Sequence, residues 1–389
     1  MLHKMKTIIS LLIGVVIITL ILVGFASYQS SQPQSKRTLK PSATTPLPST
    51  SASNPVTTIA TGMTAPWALA FLPDGDLLAT ERDGTVRIIR KNAGLDDAPL
   101  LMIDDVKQIG EGGLMGIALH PNYPQKPYVY FQYTYDQGII NTANRVVRYT
   151  FKDDKFSDRR IIVDAIPGAS NHDGGRIKFG PDGNLYITTG DSEEPSLAQD
   201  KNSLAGKILR VTDEGEPSPG NPFINAGGNP LVYSYGHRNP QGIAWNTTGQ
   251  LWETEHGRSA PTGLDEINLI ESGKNYGWPT IQGNETRPGM VTPVRNSGPT
   301  TTWAPSGAAF IDNSFFYAGL RGQTLYEAVI NNNQVTELKE HFKGEFGRIR
   351  EVIVGPDGML YITTSNRDDR GQPGSEDDRV IRVDPENLQ

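Results

Sequence analysis

The chain has 389 residues, 37% of them hydrophobic, with 41 Gly, 28 Pro, no Cys and a formal net charge of -7. So much Gly and Pro favours many short strands and turns over helices, and the acidic balance argues against a general nucleic-acid binder while leaving room for a local basic pocket. Without cysteine there can be no disulfide, thiolate metal site or Cys nucleophile, and with only six His any metal falls mainly to oxygen donors.

Lys4 and Lys6 precede an uncharged run rich in Ile, Leu and Val over residues 7–26. As a helix this run reaches about 30 Å, the thickness of a bilayer core. It is somewhat long for a secretory signal, yet Gly24, Phe25 and Ala26 offer small residues at cleavage positions. An uncleaved membrane anchor and a removed signal peptide both stand, and either one exports the rest of the chain to the periplasm or beyond. Residues 27–54 are dominated by Ser, Thr, Pro and Gln, the composition of a disordered linker.

From residue 55 onward a phrase recurs. Residues 67–75 end in Pro73, Asp74 and Gly75 and lead into an apolar stretch at 76–80. Related copies begin at 116, 176, 242, 306 and 350, and those at 176 and 350 repeat the Pro-Asp-Gly turn and an LYITT strand. An alternating strand, a turn rich in Gly and Asp, and a second strand make a β-hairpin signal. Six hairpins spaced by roughly 45–65 residues predict a six-bladed β-propeller, all-β, over residues 55–389. Residues 377–383 are expected to pair with the first strands of the domain and close the ring.

In a propeller the loops at one end of the central channel carry the chemistry, so the polar residues flanking each repeated strand matter most. His172 precedes the third copy and Asp191 follows its hairpin, which puts both at one end; an imidazole there can act as a general base with a carboxylate fixing its tautomer. Arg238, Asn239 and Gln241 precede the fourth copy, Thr302 the fifth, and Arg348 and Arg350 enter the sixth, with Arg321 in the loop after the fifth hairpin. Singly, each is more often a solvated turn or a surface ion pair. Four Arg converging on one channel mouth, however, call for an anion. The acidic, Gly-rich stretch from Glu253 to Glu271 offers oxygen donors for a hard cation such as Ca²⁺, although it lacks EF-hand spacing.

Taken together, these residues are recognisable. Residues 235–242 (YGHRNPQG), 265–268 (DEIN), 275–279 (NYGWP), 206–210 (GKILR), 187–191 (ITTGD) and 304–306 (APS) run in an order that resembles the soluble, pyrroloquinoline-quinone (PQQ) dependent glucose and aldose sugar dehydrogenases. That family is a six-bladed propeller. The resemblance implies that His172 takes the proton of the sugar C1 hydroxyl while hydride passes to the quinone, with Asp191 as its partner. Arg238 falls near the reactive carbonyl, and Arg238, Asn239, Gln241, Thr302, Arg348 and Arg350 fall at cofactor contacts. Gly257 and Arg258 correspond to backbone ligands of a calcium that bridges to PQQ, and Glu266 and Tyr276 to ligands of a second, structural calcium.

Three departures accompany the likeness. Glu111 replaces a Gln beside the substrate, Arg321 replaces a cofactor-binding Lys, and Thr300 replaces an aromatic over the cofactor. These point to an aldose substrate read more broadly than glucose, with the electron acceptor left open. Two further readings stay on the table: a calcium-stabilised propeller that binds carbohydrate or protein without catalysis, and a calcium-dependent lactonase-type hydrolase. The first has no evident need of both His172 and Arg238, and the second requires carboxylate ligands where these loops present Arg.

Overall fold

The computed structural model describes residues 55–138, 141–258 and 263–388; the expected apolar helix at 7–26 and linker at 27–54 lie outside them. The described strands form six antiparallel sheets in sequence order, each starting on an inner strand. The inner strands are Pro66–Phe71, Leu114–Leu119, Ile177–Phe179, Pro240–Trp245, Pro305–Ile311 and Ile349–Val354. This is the six-bladed propeller expected from the repeats. The last sheet is composite: Val56–Ala60 pairs antiparallel with Val380–Val383, with Val56 opposite Val383, and so closes the ring.

The repeated turns owe their shape to the Asp and Gly of the phrase. Asp74, Asp182 and Asp357 each accept, through Oδ1, the backbone N–H two residues on, at 3.0, 3.1 and 3.2 Å. The Gly that follows, Gly75, Gly183 or Gly358, has a positive φ of 95°, 76° or 78°, a region costly for any residue with a Cβ.

Neighbouring residues on one strand face different blade interfaces, because side chains alternate across a sheet. Phe131 packs with Trp67, Val86 and Leu114 between the first two blades, while Tyr130 packs with Ile177 and Leu185 on the other side. Tyr186 lies with Ile243 and Leu251 between the third and fourth blades, and Trp252 with Phe315 and Tyr317 between the next pair. Phe316 turns instead toward Ile349 and Leu360, and Tyr361 meets Leu69 and Leu77 at the composite seam. The cores are thus distributed around the ring. Strands such as Leu77–Glu81 and Leu360–Thr364 are buried at every position.

Five inner strands break register near their first residues, the end that faces the site. Trp67, Gln241 and Arg350 are the residues skipped by the ladders of their sheets. A bulge frees a side chain from the pleat and re-aims it. Here the three meet: Arg350 Nη1 donates to Gln241 Oε1 at 2.8 Å and its guanidinium lies 5.6 Å from the Trp67 ring centre.

Candidate active site

The loops at that end enclose a cleft of about 580 Å³, lined by Glu111, His172, Arg238, Gln241, Gly257, Arg258, Thr302, Arg321, Arg348 and Arg350, together with Asn171, Glu193, His256, Asp265, Ala304, Leu320 and Arg370. Ten residues singled out from the sequence therefore share one wall-to-wall space. Asp191 and Asn239 sit one layer behind it, fully buried.

His172 enters the cleft from a strained backbone, with φ at 65°. Its N–H donates to Glu111 Oε2 at 3.2 Å, and its carbonyl can approach the neighbouring chain because position 190 is Gly, where a Cβ would lie 1.8 Å from that oxygen. The ring Nδ1 lies 2.7 Å from Asp191 Oδ1, leaving Nε2 directed away from the carboxylate. Asp191 is itself held: Trp278 Nε1 donates to Oδ2 at 2.7 Å and Glu193 N to Oδ1 at 3.0 Å. An imidazole whose Nδ1 is fixed by a buried, doubly bonded carboxylate has Nε2 poised to accept a proton.

The opposite wall is cationic. Arg348 Nε and Nη2 lie 3.0 and 2.9 Å from Asp368 Oδ2, and Arg350 Nη2 lies 3.6 Å from the same oxygen. Two buried guanidiniums thus share one carboxylate, and Arg350 Nε has no hydrogen-bond partner among the described residues. Burial bears hardest on Arg350, lowering its pKa from 12.5 to about 9 even beside Asp368. Arg238 is also pulled down by burial; its backbone N–H donates to Glu255 Oε2 at 2.7 Å and its guanidinium lies 5.3 Å from the Trp278 ring centre. Arg258 and Arg321 are exposed at the rim. Such a surplus of buried positive charge fits a planar polyanion bearing carboxylates.

Thr302 is set in place by Asp265, whose Oδ2 accepts from Thr302 Oγ1 at 2.8 Å and from the N–H groups of Trp303 and Ala304 at 2.6 and 2.9 Å. Asp265 Oδ1 accepts from Gly257 N at 2.9 Å, which ties the Gly257–Arg258 turn to the same anchor. Gly257 and Arg258 also border a smaller cavity beside Glu255, Glu266 and Tyr276. The Tyr276 hydroxyl donates to Leu269 O at 2.7 Å and accepts from Glu271 N at 2.8 Å, so that group is already committed. Among the described residues, Glu266 Oε1 accepts only from Gly283 N, at 3.2 Å. Nearby, ligand atoms of His237, Glu253 and Glu255 lie within 4.8 Å of one another. Burial, reinforced by Glu255, pushes Glu253 and Glu266 well above the usual carboxylate range.

Several residues here escaped the sequence reading. Asp368 and Arg370 lie outside the segments that flank the repeated inner strands, Trp278 stands in the NYGWP segment with no role assigned to it from the sequence, and Arg176 and Glu351 form a buried ion pair beneath the cleft. Arg176 Nε also donates to Gln241 O at 2.9 Å. The Glu111 charge expected beside the substrate is not alone: Arg370 Nη1 donates to its Oε1 at 2.6 Å.

The family model for Glucose / Sorbosone dehydrogenase matches residues 63–372. The chain belongs to that family. It is 37% identical over 325 residues to the Aldose sugar dehydrogenase YliI of Escherichia coli, covering 77% of this chain and 86% of that protein. Among solved structures, the PQQ-bound form of Aldose Sugar Dehydrogenase from Streptomyces coelicolor superposes with a TM-score of 0.78 at 40% identity, covering 84% of this chain and 97% of that one. Quinoprotein glucose dehydrogenase B of Acinetobacter calcoaceticus is 32% identical over 256 residues, 58% of this chain and 52% of that protein.

Proposed function

We propose that this protein is a PQQ-dependent dehydrogenase that oxidises the C1 hydroxyl of aldose sugars to the lactone. The observation that carries this reading is the juxtaposition, across one cleft, of the His172–Asp191 pair and the Arg348–Arg350 cluster. The fit to the cofactor is chemical. PQQ is a flat tricarboxylate, and the Arg348 and Arg350 guanidiniums share the Asp368 carboxylate, with an N–H on Arg350 that has no partner among the described residues.

In this reading Arg348, Arg350 and Arg321 bind carboxylates, Gln241 and Thr302 fix the plane, and Asn239 supports the wall behind them. Arg238 stands where negative charge builds and stabilises it. When bound, PQQ supplies the ortho-quinone that takes up the C1 hydrogen with its electron pair. His172 Nε2 takes the hydroxyl proton, and the buried Asp191 carboxylate stabilises the imidazolium that results. Backbone carbonyls at Gly257 and Arg258 would hold a calcium against the cofactor. Glu266, with the Tyr276 carbonyl since its hydroxyl is committed, would serve a second calcium. Export through residues 7–26, as a cleaved signal or as an anchor, belongs to the same proposal and rests on the Lys-flanked apolar run.

The test is a titration of metal-free protein with PQQ and Ca²⁺, followed by an aldose panel. The quinone absorption band should bleach and an artificial dye should be reduced. Absence of bleaching with every aldose would defeat the enzymatic reading. His172→Ala should bind PQQ as the wild type does yet fail to bleach it; an active variant would move the base elsewhere.

A further inference from the structure

Around His172 the rim of the cleft is a hydrogen-bonded strap drawn from three blades. Arg370, from the loop between the Leu360–Thr364 and Val380–Val383 strands, donates through Nη1 to Glu111 Oε1 at 2.6 Å and through Nη2 to Asn171 Oδ1 at 2.7 Å. Asn171 in turn donates through Nδ2 to Glu193 Oε1 at 2.9 Å. The other Glu111 oxygen accepts from His172 N at 3.2 Å and Asn239 Nδ2 at 3.3 Å. Every residue in these links borders the cleft except Asn239, which is buried directly behind it.

The two halves of the cleft differ in the bonding they have left to offer. Arg348 and Arg350 are buried and face Asp368, a place for carboxylates. The Arg370 side chain is 46% exposed and spends two of its five N–H donors on Glu111 and Asn171. Its remaining donors have no partner among the described residues, and Glu111 Oε1 retains a lone pair. A carboxylate and a guanidinium held side by side, each with spare capacity, match the mixed donors and acceptors of adjacent sugar hydroxyls. Glu111 already neutralises Arg370, and the Glu193 carboxylate leaves the strap itself with an excess of negative charge, so it does not attract an anionic sugar.

We propose that Arg370, held by Glu111 and Asn171, extends the sugar site beyond the Glu111 position as a specificity-determining residue that donates to the ring hydroxyls of neutral aldoses. This rests on the dehydrogenase reading for its kinetics but not for its binding. Glu111 keeps its bonds to His172 N and Asn239 Nδ2 without Arg370, so the proposed base stays in place when the guanidinium is removed.

The experiment compares the full chain with Arg370→Met, Arg370→Lys, Glu111→Gln and the Glu111→Gln/Arg370→Met double variant. In PQQ- and Ca²⁺-loaded protein, Arg370→Met should raise KM for neutral aldohexoses about tenfold or more with a much smaller change in kcat, the mark of binding lost equally from the ground and transition states. PQQ titrations should superimpose on the wild type, and Arg370→Lys should recover part of the KM. The double variant should lose less than the sum of its parts, since the two groups act as a pair. Calorimetric binding of neutral aldohexoses and their methyl glycosides to PQQ-free protein tests the rim separately. Weaker binding by Arg370→Met supports the inference even if PQQ is never taken up. Equal binding or an unchanged KM overturns it, as does no sugar binding by the wild type or a fall in PQQ affinity that tracks the KM change.

Discussion

Arg348 and Arg350, two residues apart where the chain enters the Ile349–Val354 inner strand, both face the single carboxylate of Asp368, at 2.9 and 3.6 Å. One negative charge answering two buried positive ones is an incomplete balance, and the protein without its anion bears that cost. Removing Asp368 should therefore hurt most when the cleft is empty. Asp368→Asn is expected to destabilise the PQQ-free protein by about 3 kcal/mol, as for a buried pair that loses one partner. PQQ should then raise the melting temperature of the variant more than that of the wild type. A ligand-induced shift no larger than wild type would contradict this account.

The clamp on His172 can be dissected from behind. Asp191→Asn should lower kcat by roughly 10²–10⁴-fold, because the amide can stabilise the wrong tautomer and cannot balance an imidazolium. PQQ affinity should stay near wild type. Trp278→Phe removes one donor to Asp191 and should cost far less, on the order of tenfold. Single-turnover bleaching of the quinone band reads both; a Trp278→Phe loss as large as that of Asp191→Asn would mean the indole acts in its own right.

Beneath the cleft, Arg176 and Glu351 form an ion pair with side-chain exposures of 2% and 1%, and the Arg176 guanidinium lies 4.2 Å from the Trp67 ring centre. Glu351→Ala leaves a buried cation with no counter-charge. Chemical denaturation should show a loss of about 3–5 kcal/mol. A loss below about 1 kcal/mol would indicate that water reaches this layer.

Asp173, beside the proposed base, supplies a pH test. Its Oδ1 accepts from Asn144 Nδ2 at 2.8 Å and Ala169 N at 3.3 Å, while Oδ2 has no partner among the described residues. Burial raises its pKa from 3.8 to about 7. The folded state thus holds a proton that the unfolded chain gives up near pH 4, and this group's contribution to stability falls as pH rises through about 7. Asp173→Asn keeps the acceptor and removes the titration. Its melting temperature relative to wild type should climb from about pH 5 to about pH 8, and a difference independent of pH would refute the assignment.

Much of this was legible in the residue order because the blade phrase carries its own turn chemistry. Asp74, Asp182 and Asp357 announce their hairpins locally, so the ring and its closure could be counted without long-range information. His172 and Asp191 could be paired because one short hairpin joins them. Asp368 meets Arg348 across the local hairpin of the sixth blade but follows it in a loop with no repeated phrase, and Arg370 could not be paired at all, since its partner Glu111 is brought to it only by closure of the ring. The long second blade was equally silent. Lys155–Gly168 lies at the edge of its sheet with several exposed charged residues, and its strand character comes from pairing with Thr142–Lys152. Departures from a ladder, such as the skips at Gln241 and Arg350, leave no compositional trace at all.

The loop that bears Asp368 and Arg370 is also the fastening of the circular wall. Asp378 Oδ2 accepts from Ala65 N at 3.0 Å, Met63 and Asp378 exchange backbone hydrogen bonds at 3.1 and 3.0 Å, and Val380 to Val383 stand against Ala60 to Val56 immediately beyond. One short stretch of chain therefore serves as clasp for the whole barrel-like circle and as wall for its ligand. Anything bound against Asp368 and Arg370 would tighten the clasp. Protease resistance of the finished circle and occupancy of its mouth should accordingly rise and fall together.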